Sequence, residues 1–189
     1  RLNRQTGGPR RMIVSDTCPR MLELAAVKLA DSPRPVELRL LDAETLDGVP
    51  DASVDIVSIS FGMKICNRDR VIQSAFRVLK PGGRFFCLEA SRLPSPRIQA
   101  IYLLYMDFCM PVIANLATGG DRSAYDYLLR GVHEFPGQEQ LAAEITAHGF
   151  EQVSYKNFTG GIVALHIQLR QFVLGLSEFK LIIVRIDAN

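Results

Sequence analysis

The stretch RVLKPGGRFFCLEAS, residues 77–91, decides the fold predicted for this chain. It combines the last turn of a helix, a sharp turn over residues 80–83 and a buried strand. Pro81 fixes φ at the first turn position, and we expect both glycines after it to adopt positive φ. The apolar run at 85–88 is typical of a strand covered on both faces. Residues 89–91 would then lie at the carboxyl end of that strand, where open α/β sheets bind ligands.

Length and composition indicate a globular domain with a sizeable core. The chain has 189 residues, 48% hydrophobic and 22% charged, and its net charge of +2 is too small to predict nucleic-acid binding. Its four cysteines include no Cys-x-x-Cys pair. We therefore expect reduced thiols of an intracellular protein, with neither a disulfide framework nor a metal site. No signal-peptide pattern is visible.

Strand and helix patterns alternate before the opening stretch. Strands are predicted at 12–16, 36–41 and 54–60, one helix begins at Pro19, and a second covers 68–79. Such alternation favours parallel strands joined by right-handed crossovers. The sequence therefore predicts an α/β fold with a doubly wound, mostly parallel sheet.

The last part of the domain closes this sheet differently. After a helix at 138–148, residues 150–158 and 162–169 are predicted to form two strands joined through Thr159-Gly160-Gly161, a hairpin signal. A parallel sheet that ends in an antiparallel hairpin is the Rossmann-like topology of the largest class of S-adenosylmethionine-dependent methyltransferases.

Residues 92–133 interrupt the alternation. The apolar run 98–117 has about the length of a membrane span, but polar residues and Pro111 interrupt it. We expect instead an inserted pair of helices that roofs the carboxyl end of the sheet. Its aromatic side chains would line an apolar substrate pocket, although ordinary helix packing would account for any one of them. They are Tyr102, Tyr105, Phe108, Tyr125 and Tyr127.

Small polar residues end three successive strands. Asp16 can accept hydrogen bonds from both hydroxyls of a ribose. Asp42 can accept from the exocyclic amine of adenine, and Ala43 leaves room for the ring. Ser60 faces the same crevice. Each carboxylate alone is also common as a helix cap or turn residue, but their succession along one sheet edge favours an adenosyl cofactor.

Methyl transfer from a sulfonium is an in-line displacement, in which the protein supplies alignment and a dry pocket. A carbon nucleophile additionally needs activation, for instance by deprotonation of an adjacent ring hydroxyl. The sequence does not choose among four candidate bases or relays, and it predicts structural roles for His148 and His166. The candidates are Lys64, Asp107, Asp121 and His133.

These segments resemble the UbiE-type C-methyltransferases of ubiquinone and menaquinone biosynthesis, from about residue 10 to residue 168. The most specific segment is RVLKPGGRFFCLEAS, in which the family usually has Phe at the position of Ala90. Supporting segments are SISFGMK at 58–64 and NFTGGIVALH at 157–166. The family usually carries Arg-Asn where this chain has Lys64-Ile65.

The resemblance implies S-adenosyl-L-methionine as cofactor and a polyprenyl benzoquinol or demethylmenaquinol as substrate, methylated on a ring carbon. Asp16, Asp42, Ala43 and Ser60 fall on the family's cofactor-binding positions. The family's Arg is thought to help activate the ring, which makes Lys64 a catalytic candidate. A lipid-tailed quinol also implies peripheral membrane contact and a possible homodimer or quinone-synthesis complex. The location would be the mitochondrial matrix face in a eukaryote or the cytoplasmic face in a bacterium.

The resemblance also divides the chain. Residues 1–170 would form the methyltransferase domain, with the helical insertion at 92–133 and an extension of unknown role at 171–189. The family's first strand and its glycine-rich loop are expected to be missing from this chain. One hypothesis is that the apolar segment 181–184 fills the vacant position in the sheet. The alternative is an extra edge strand or an extension without a role.

Two other functions stay open from the sequence. The first is a methyltransferase of the same fold that acts on another small hydrophobic acceptor, such as a sterol or a phenol. The second is a catalytically silent member that binds partners in a quinone-synthesis assembly. The missing glycine-rich loop and Lys64 favour the silent member.

Overall fold

The computed structural model describes residues 11–118, 135–170 and 180–185. Its strands are β1 Arg11–Asp16, β2 Val36–Leu40, β3 Val54–Ser60, β4 Leu79–Ala90, β5 Phe150–Phe158, β6 Val163–Arg170 and β7 Lys180–Arg185. Its helices are α1 Pro19–Leu29, α2 Arg68–Val78, α3 Pro96–Thr118 and α4 Gln138–Ala147. The described strands form one seven-stranded sheet in the order β2-β1-β7-β3-β4-β6-β5.

The sheet has the topology that the sequence predicts. Along the series β2-β1-β7-β3-β4, each strand pairs in parallel with the next. The hairpin of β5 and β6 then pairs antiparallel with β4 through β6. Gly149, with φ of 91°, ends the helix before the hairpin. The doubly wound fold and its closing hairpin are therefore confirmed.

Strand β7 occupies the centre of the sheet, as the hypothesis for segment 181–184 proposes. Ile182 lies opposite Ile13 of β1 on one side and Val57 of β3 on the other. The buried Ser15 hydroxyl adds a hydrogen bond to the Ile183 carbonyl at 3.4 Å. The structure thus places a carboxyl-terminal strand in the position expected to be vacant.

The main core lies between the sheet and helices α2 and α4. Val71, Ile72 and Ala75 form the buried face of α2, as their helical spacing predicts. Phe150 at the start of β5 meets the ring of Phe76 edge to face, with centroids 5.1 Å apart. This arrangement gains aromatic contact energy beyond the apolar area that it buries.

Helix α1 covers the opposite face of the sheet much less completely. None of its residues is fully buried, although Pro19 starts it as expected. A cavity of about 240 Å³ separates it from β1 and β7, and its lining is mostly apolar. The lining includes Met12, Met21 and Ile183.

The Pro-Gly-Gly turn differs from its prediction. Residues 80–83 do not precede β4 but belong to it, with a register shift against β3. Only Gly82 of the two glycines has a positive φ, 78°. At Gly83 a Cβ atom would lie 2.8 Å from the Lys80 carbonyl oxygen, so glycine is needed there for close backbone approach.

The insertion also differs in part. Its described portion is one continuous helix, α3, which runs through Pro111 where the sequence predicted an interruption. Residues 119–134, where the second helix was expected, lie outside the described residues. In the described ranges no helix combines the length and apolar character needed to cross a membrane.

Candidate functional site

The predicted cofactor residues lie along the carboxyl edge of the parallel strands. Ser60 lies opposite Arg185 of β7, and Asp16 follows Ser15, which lies opposite Val184. Asp16 and Ser60 therefore flank the same end of the central strand, about 10 Å apart at ordinary strand spacing. Asp42 comes two residues after β2, whose Leu40 pairs with Asp16. The fold thus brings these residues to one edge.

Asp16 is buried, and its carboxylate stabilises the turn that precedes α1. One carboxylate oxygen, Oδ1, accepts a hydrogen bond from the Cys18 amide at 2.8 Å. Only 2% of the residue is exposed. Asp16 therefore combines the turn role that was an alternative interpretation with a position at the sheet edge.

Asp42 and Ala43 form the next part of the edge. Asp42 is exposed, and its Oδ1 accepts a hydrogen bond from the Glu44 amide at 2.8 Å. Ala43 is buried, and its carbonyl accepts from the Ser74 hydroxyl of α2 at 2.6 Å. Helix α2 therefore fixes the backbone at Ala43 through Ser74, while the Asp42 carboxylate faces solvent.

A buried ion pair on the same edge joins Lys64, which follows β3, to Glu89 near the carboxyl end of β4. The Lys64 ammonium donates to Glu89 Oε1 at 2.9 Å, and the two side chains are only 5% and 1% exposed. Glu89 Oε2 also accepts from the Met63 amide at 3.1 Å. The ammonium further donates to the Phe61 carbonyl at 2.6 Å. The Lys64 side chain is therefore buried at the sheet edge and does not face solvent.

Sequence reasoning placed Glu89 at the carboxyl end of a strand, in the stretch that decides the fold, but did not pair it with Lys64. The available signal was a carboxylate directly after an apolar run, 25 residues after the candidate Lys64. A buried carboxylate in such a position requires a partner.

Of the tyrosines predicted to line the aromatic pocket, the structure describes two, both on α3. Tyr102 is partly buried, and this burial raises the pKa of its hydroxyl. Tyr105 is 46% exposed. Tyr125 lies outside the described residues, as do Asp121, Tyr127 and His133. Asp107 is on α3 and exposed.

The two ends of the insertion are fastened to each other. The Arg92 guanidinium donates to the Phe135 carbonyl at 3.2 Å. The buried Gln138 amide donates to the carbonyls of Arg92 at 2.8 Å and Gly161 at 3.2 Å. The Gln138 carbonyl meets Nε2 of buried His166 at 3.0 Å, which supports the structural role predicted for this histidine. These hydrogen bonds thus join the first residue of the insertion to the segment that follows it.

Two buried or half-buried thiols near the edge, Cys66 and Cys87, are not activated nucleophiles. Burial, with nearby carboxylates, raises the pKa of Cys66 to about 12. Burial also raises the pKa of Cys87, which is inaccessible beneath the Lys64–Glu89 pair. In the described ranges no group of three or more His, Cys, Asp or Glu side chains could hold a metal ion.

The chain is similar to curated methyltransferases of quinone biosynthesis. A ubiquinone/menaquinone biosynthesis C-methyltransferase of Acidiphilium cryptum is 41% identical over 163 residues, which cover 85% of this chain and 64% of that protein. A mitochondrial 2-methoxy-6-polyprenyl-1,4-benzoquinol methylase of Dictyostelium discoideum is 43% identical over 117 residues, 61% of this chain and 37% of that protein. The chain thus spans less than two thirds of the length of these relatives.

Solved structures show the same fold at low sequence identity. The C-methyltransferase domain of the citrinin polyketide synthase matches 89% of this chain with a TM-score of 0.61 and 15% identity, over 48% of its own length. A putative methyltransferase of Bacillus halodurans matches 90% of this chain and 96% of its own, with a TM-score of 0.60 and 14% identity.

The family model is more specific than the structural likeness. It matches residues 1–170, which include the predicted cofactor residues Asp16, Asp42, Ala43 and Ser60. This range covers all of the described sheet except β7. The chain therefore belongs to the ubiE/COQ5 methyltransferase family.

Proposed function

We propose that this chain carries out S-adenosylmethionine-dependent C-methylation of a lipid-tailed ring in quinone biosynthesis, either a polyprenyl benzoquinol or a demethylmenaquinol. Family membership supports the reaction class. The observation that carries the proposal is the shared sheet edge of Asp16, Asp42 and Ser60. Polar residues at successive strand ends of an α/β sheet are the usual ligands of an adenosyl group.

The residues at this edge fit such a donor. Asp16 is a carboxylate whose orientation is set by the Cys18 amide, so we assign it the ribose hydroxyls. Asp42 is exposed and we assign it the adenine amine, while the small Ala43 leaves the ring its space. Ser60 completes the edge beside β7. Bound there, the sulfonium supplies an activated methyl group.

The hydrogen bonds of Lys64 bear on which residue acts as the catalytic base. Lys64 was a catalytic candidate, but its ammonium is committed to Glu89 and to the Phe61 carbonyl. We therefore assign Lys64 no proton transfer. Asp107 on exposed α3 stays a candidate, together with Asp121 and His133.

Contact with a membrane surface follows from the substrate class and is also part of the proposal. Helix α3 exposes large apolar side chains along its length, although no described helix could span a bilayer. They are Ile98, Ile101, Leu104, Phe108 and Val112. The proposed location is the matrix face of the mitochondrial inner membrane in a eukaryote or the cytoplasmic face in a bacterium. We propose a homodimer or a quinone-synthesis complex as its assembly.

A second candidate function is a catalytically silent scaffold within such a complex. The observation in its favour is the Lys64–Glu89 pair. Lys64 follows β3 at the sheet edge, and its pairing with Glu89 keeps the ammonium out of reach of a substrate. Under this interpretation the edge residues would be structural, and the chain would not bind the donor.

Titration calorimetry of the full chain with S-adenosylmethionine separates the two functions. We expect micromolar binding, weakened about tenfold or more by Asp42→Asn because a charge-assisted hydrogen bond is lost. Asp47→Asn, an exposed carboxylate of the same loop, is the control and should bind normally. A folded chain without donor affinity would support the scaffold. Transfer of a labelled methyl group to a short-tailed methoxy-benzoquinol or demethylmenaquinol then identifies the acceptor.

A further inference from the structure

Phe61 has an unusual backbone conformation at the carboxyl edge. It directly follows Ser60, the last residue of β3, and its φ is +56°. A bulky residue rarely adopts this left-handed conformation, which costs free energy unless its surroundings enforce it. The side chain is nevertheless 44% exposed, so burial of the ring does not explain the conformation.

Two hydrogen bonds enforce this conformation. The Phe61 amide donates to the Leu88 carbonyl at 2.9 Å, which ties it to the end of β4. Its carbonyl accepts from the Lys64 ammonium at 2.6 Å. Lys64 is in turn fixed by the almost fully buried Glu89. The buried ion pair therefore holds Phe61 in place.

The same ion pair also reaches the Phe61 ring. The Lys64 ammonium lies 5.5 Å from the centroid of the Phe61 ring. Phe61 is 44% exposed and directly follows the end of β3, at the edge where the proposed donor would bind. An aromatic ring fixed in this way is suited to stacking against a planar ring, and offset stacking adds free energy beyond area burial.

We propose that Phe61 is the stacking surface for the acceptor ring, and that Lys64 and Glu89 are positioning residues that hold it. The inference rests on the proposed function, because it requires an aromatic acceptor at this edge. It gives the Lys64–Glu89 pair a role that involves no proton transfer. It also gives a reason for the strained φ of Phe61.

The test measures binding of a tail-less methoxy-benzoquinone probe to the full chain in the presence of S-adenosylhomocysteine. Phe61→Leu removes the aromatic surface but keeps an apolar side chain. We expect it to weaken probe binding about three- to tenfold and to leave S-adenosylhomocysteine binding unchanged. Phe61→Tyr should bind the probe within about twofold of the unchanged chain, because the ring is retained.

The chain contains a closely matched control. Phe158 is 41% exposed and has the Lys156 ammonium 5.6 Å from its ring centroid, but it lies on the outermost strand β5. Phe158→Leu should leave probe binding unchanged. Equal probe binding by Phe61→Leu and the unchanged chain would overturn the proposal. Failure of the unchanged chain to bind S-adenosylhomocysteine would instead count against the proposed function.

A double-mutant cycle tests the positioning role. Lys64→Met is combined with Glu89→Gln so that no unpaired charge stays buried. This pair should weaken probe binding when Phe61 is present and have little further effect in the Phe61→Leu background. Fully additive losses in the two backgrounds would contradict a role exerted through Phe61.

Discussion

At the residue scale, the structure separates accessible charged side chains from inaccessible ones. Asp42 is exposed at the sheet edge, which is why we propose that it binds a ligand. Glu89 and Lys64 are charged but nearly inaccessible. The sequence cannot make this distinction, because a carboxylate or an ammonium looks the same in either setting. Only the local burial and the hydrogen-bond partners decide which role is possible.

The buried His166 makes the fold sensitive to acid. Burial lowers the pKa of its imidazole from the usual 6.5 in the folded chain. As the pH falls below about 6.5, the unfolded chain binds a proton that the folded chain does not. The free energy of unfolding should therefore decrease on the acid side, by at most about 1.4 kcal/mol per pH unit from this group. Above that pH it contributes no slope.

Urea denaturation at several pH values between 5 and 7.5 checks this expectation. His166→Gln should reduce the acid-side slope of the free energy of unfolding, whatever its effect on the absolute stability. His148→Gln is the control, since it replaces a more accessible histidine that directly follows α4 and leaves His166 in place. An unchanged slope in His166→Gln would show that His166 does not cause it.

At the element scale, β7 has the largest effect on the fold. Val14 of β1 lies opposite Ile183 in a parallel register, and both residues line the cavity under α1. Segment 180–185 is apolar enough to be recognised as a strand from sequence. Its place in the sheet stayed one of two hypotheses, because β-propensity does not specify which strands pair.

An engineered disulfide tests this pairing. Neighbouring parallel strands place paired Cα atoms about 4.8 Å apart, within the range that a disulfide spans. The double variant Val14→Cys, Ile183→Cys should therefore cross-link on mild oxidation, as seen by a shift in non-reducing electrophoresis. The single variant Ile183→Cys should not give this species. Absence of the cross-link in a folded double variant would place β7 elsewhere.

At the scale of the whole molecule, β7 joins two parts of the sheet. In the described ranges β1 and β2 have no strand pairing with β3 except through β7. The predicted cofactor residues are divided in the same way, with Asp16 on one side of β7 and Ser60 on the other. The site therefore depends on a strand far away in sequence.

Removal of residues 171–189 should separate these two parts. We expect β1 and β2 to lose hydrogen-exchange protection, while β3, β4 and the hairpin keep theirs because α2 and α4 still cover them. Exchange measured by mass spectrometry on the intact and shortened chains checks this. Retained protection across Arg11–Asp16 in the shortened chain would contradict the joining role of β7.

Much of the fold was predictable because it depends on local patterns. The helix that starts at Pro19, the buried face of α2 and the hairpin through Gly160-Gly161 all follow from spacing and turn residues. The continuation of α3 through Pro111 was not predictable in this way. Neither was the inclusion of residues 80–83 in β4, because it depends on the irregularity between the strand pairs Val54–Leu79 and Ile56–Arg84, which local sequence does not specify.

The sequence by itself determined the α/β alternation, the closing hairpin and the family, because each depends on residues close together in the chain. Only the tertiary structure decided that β7 lies between β1 and β3, where Ser15 bonds to a carbonyl 168 residues away. It also decided that Lys64 is paired with Glu89 rather than exposed. Long-range pairing depends on which position in the sheet is vacant and on which buried charge needs a partner, and neither condition is set by local sequence.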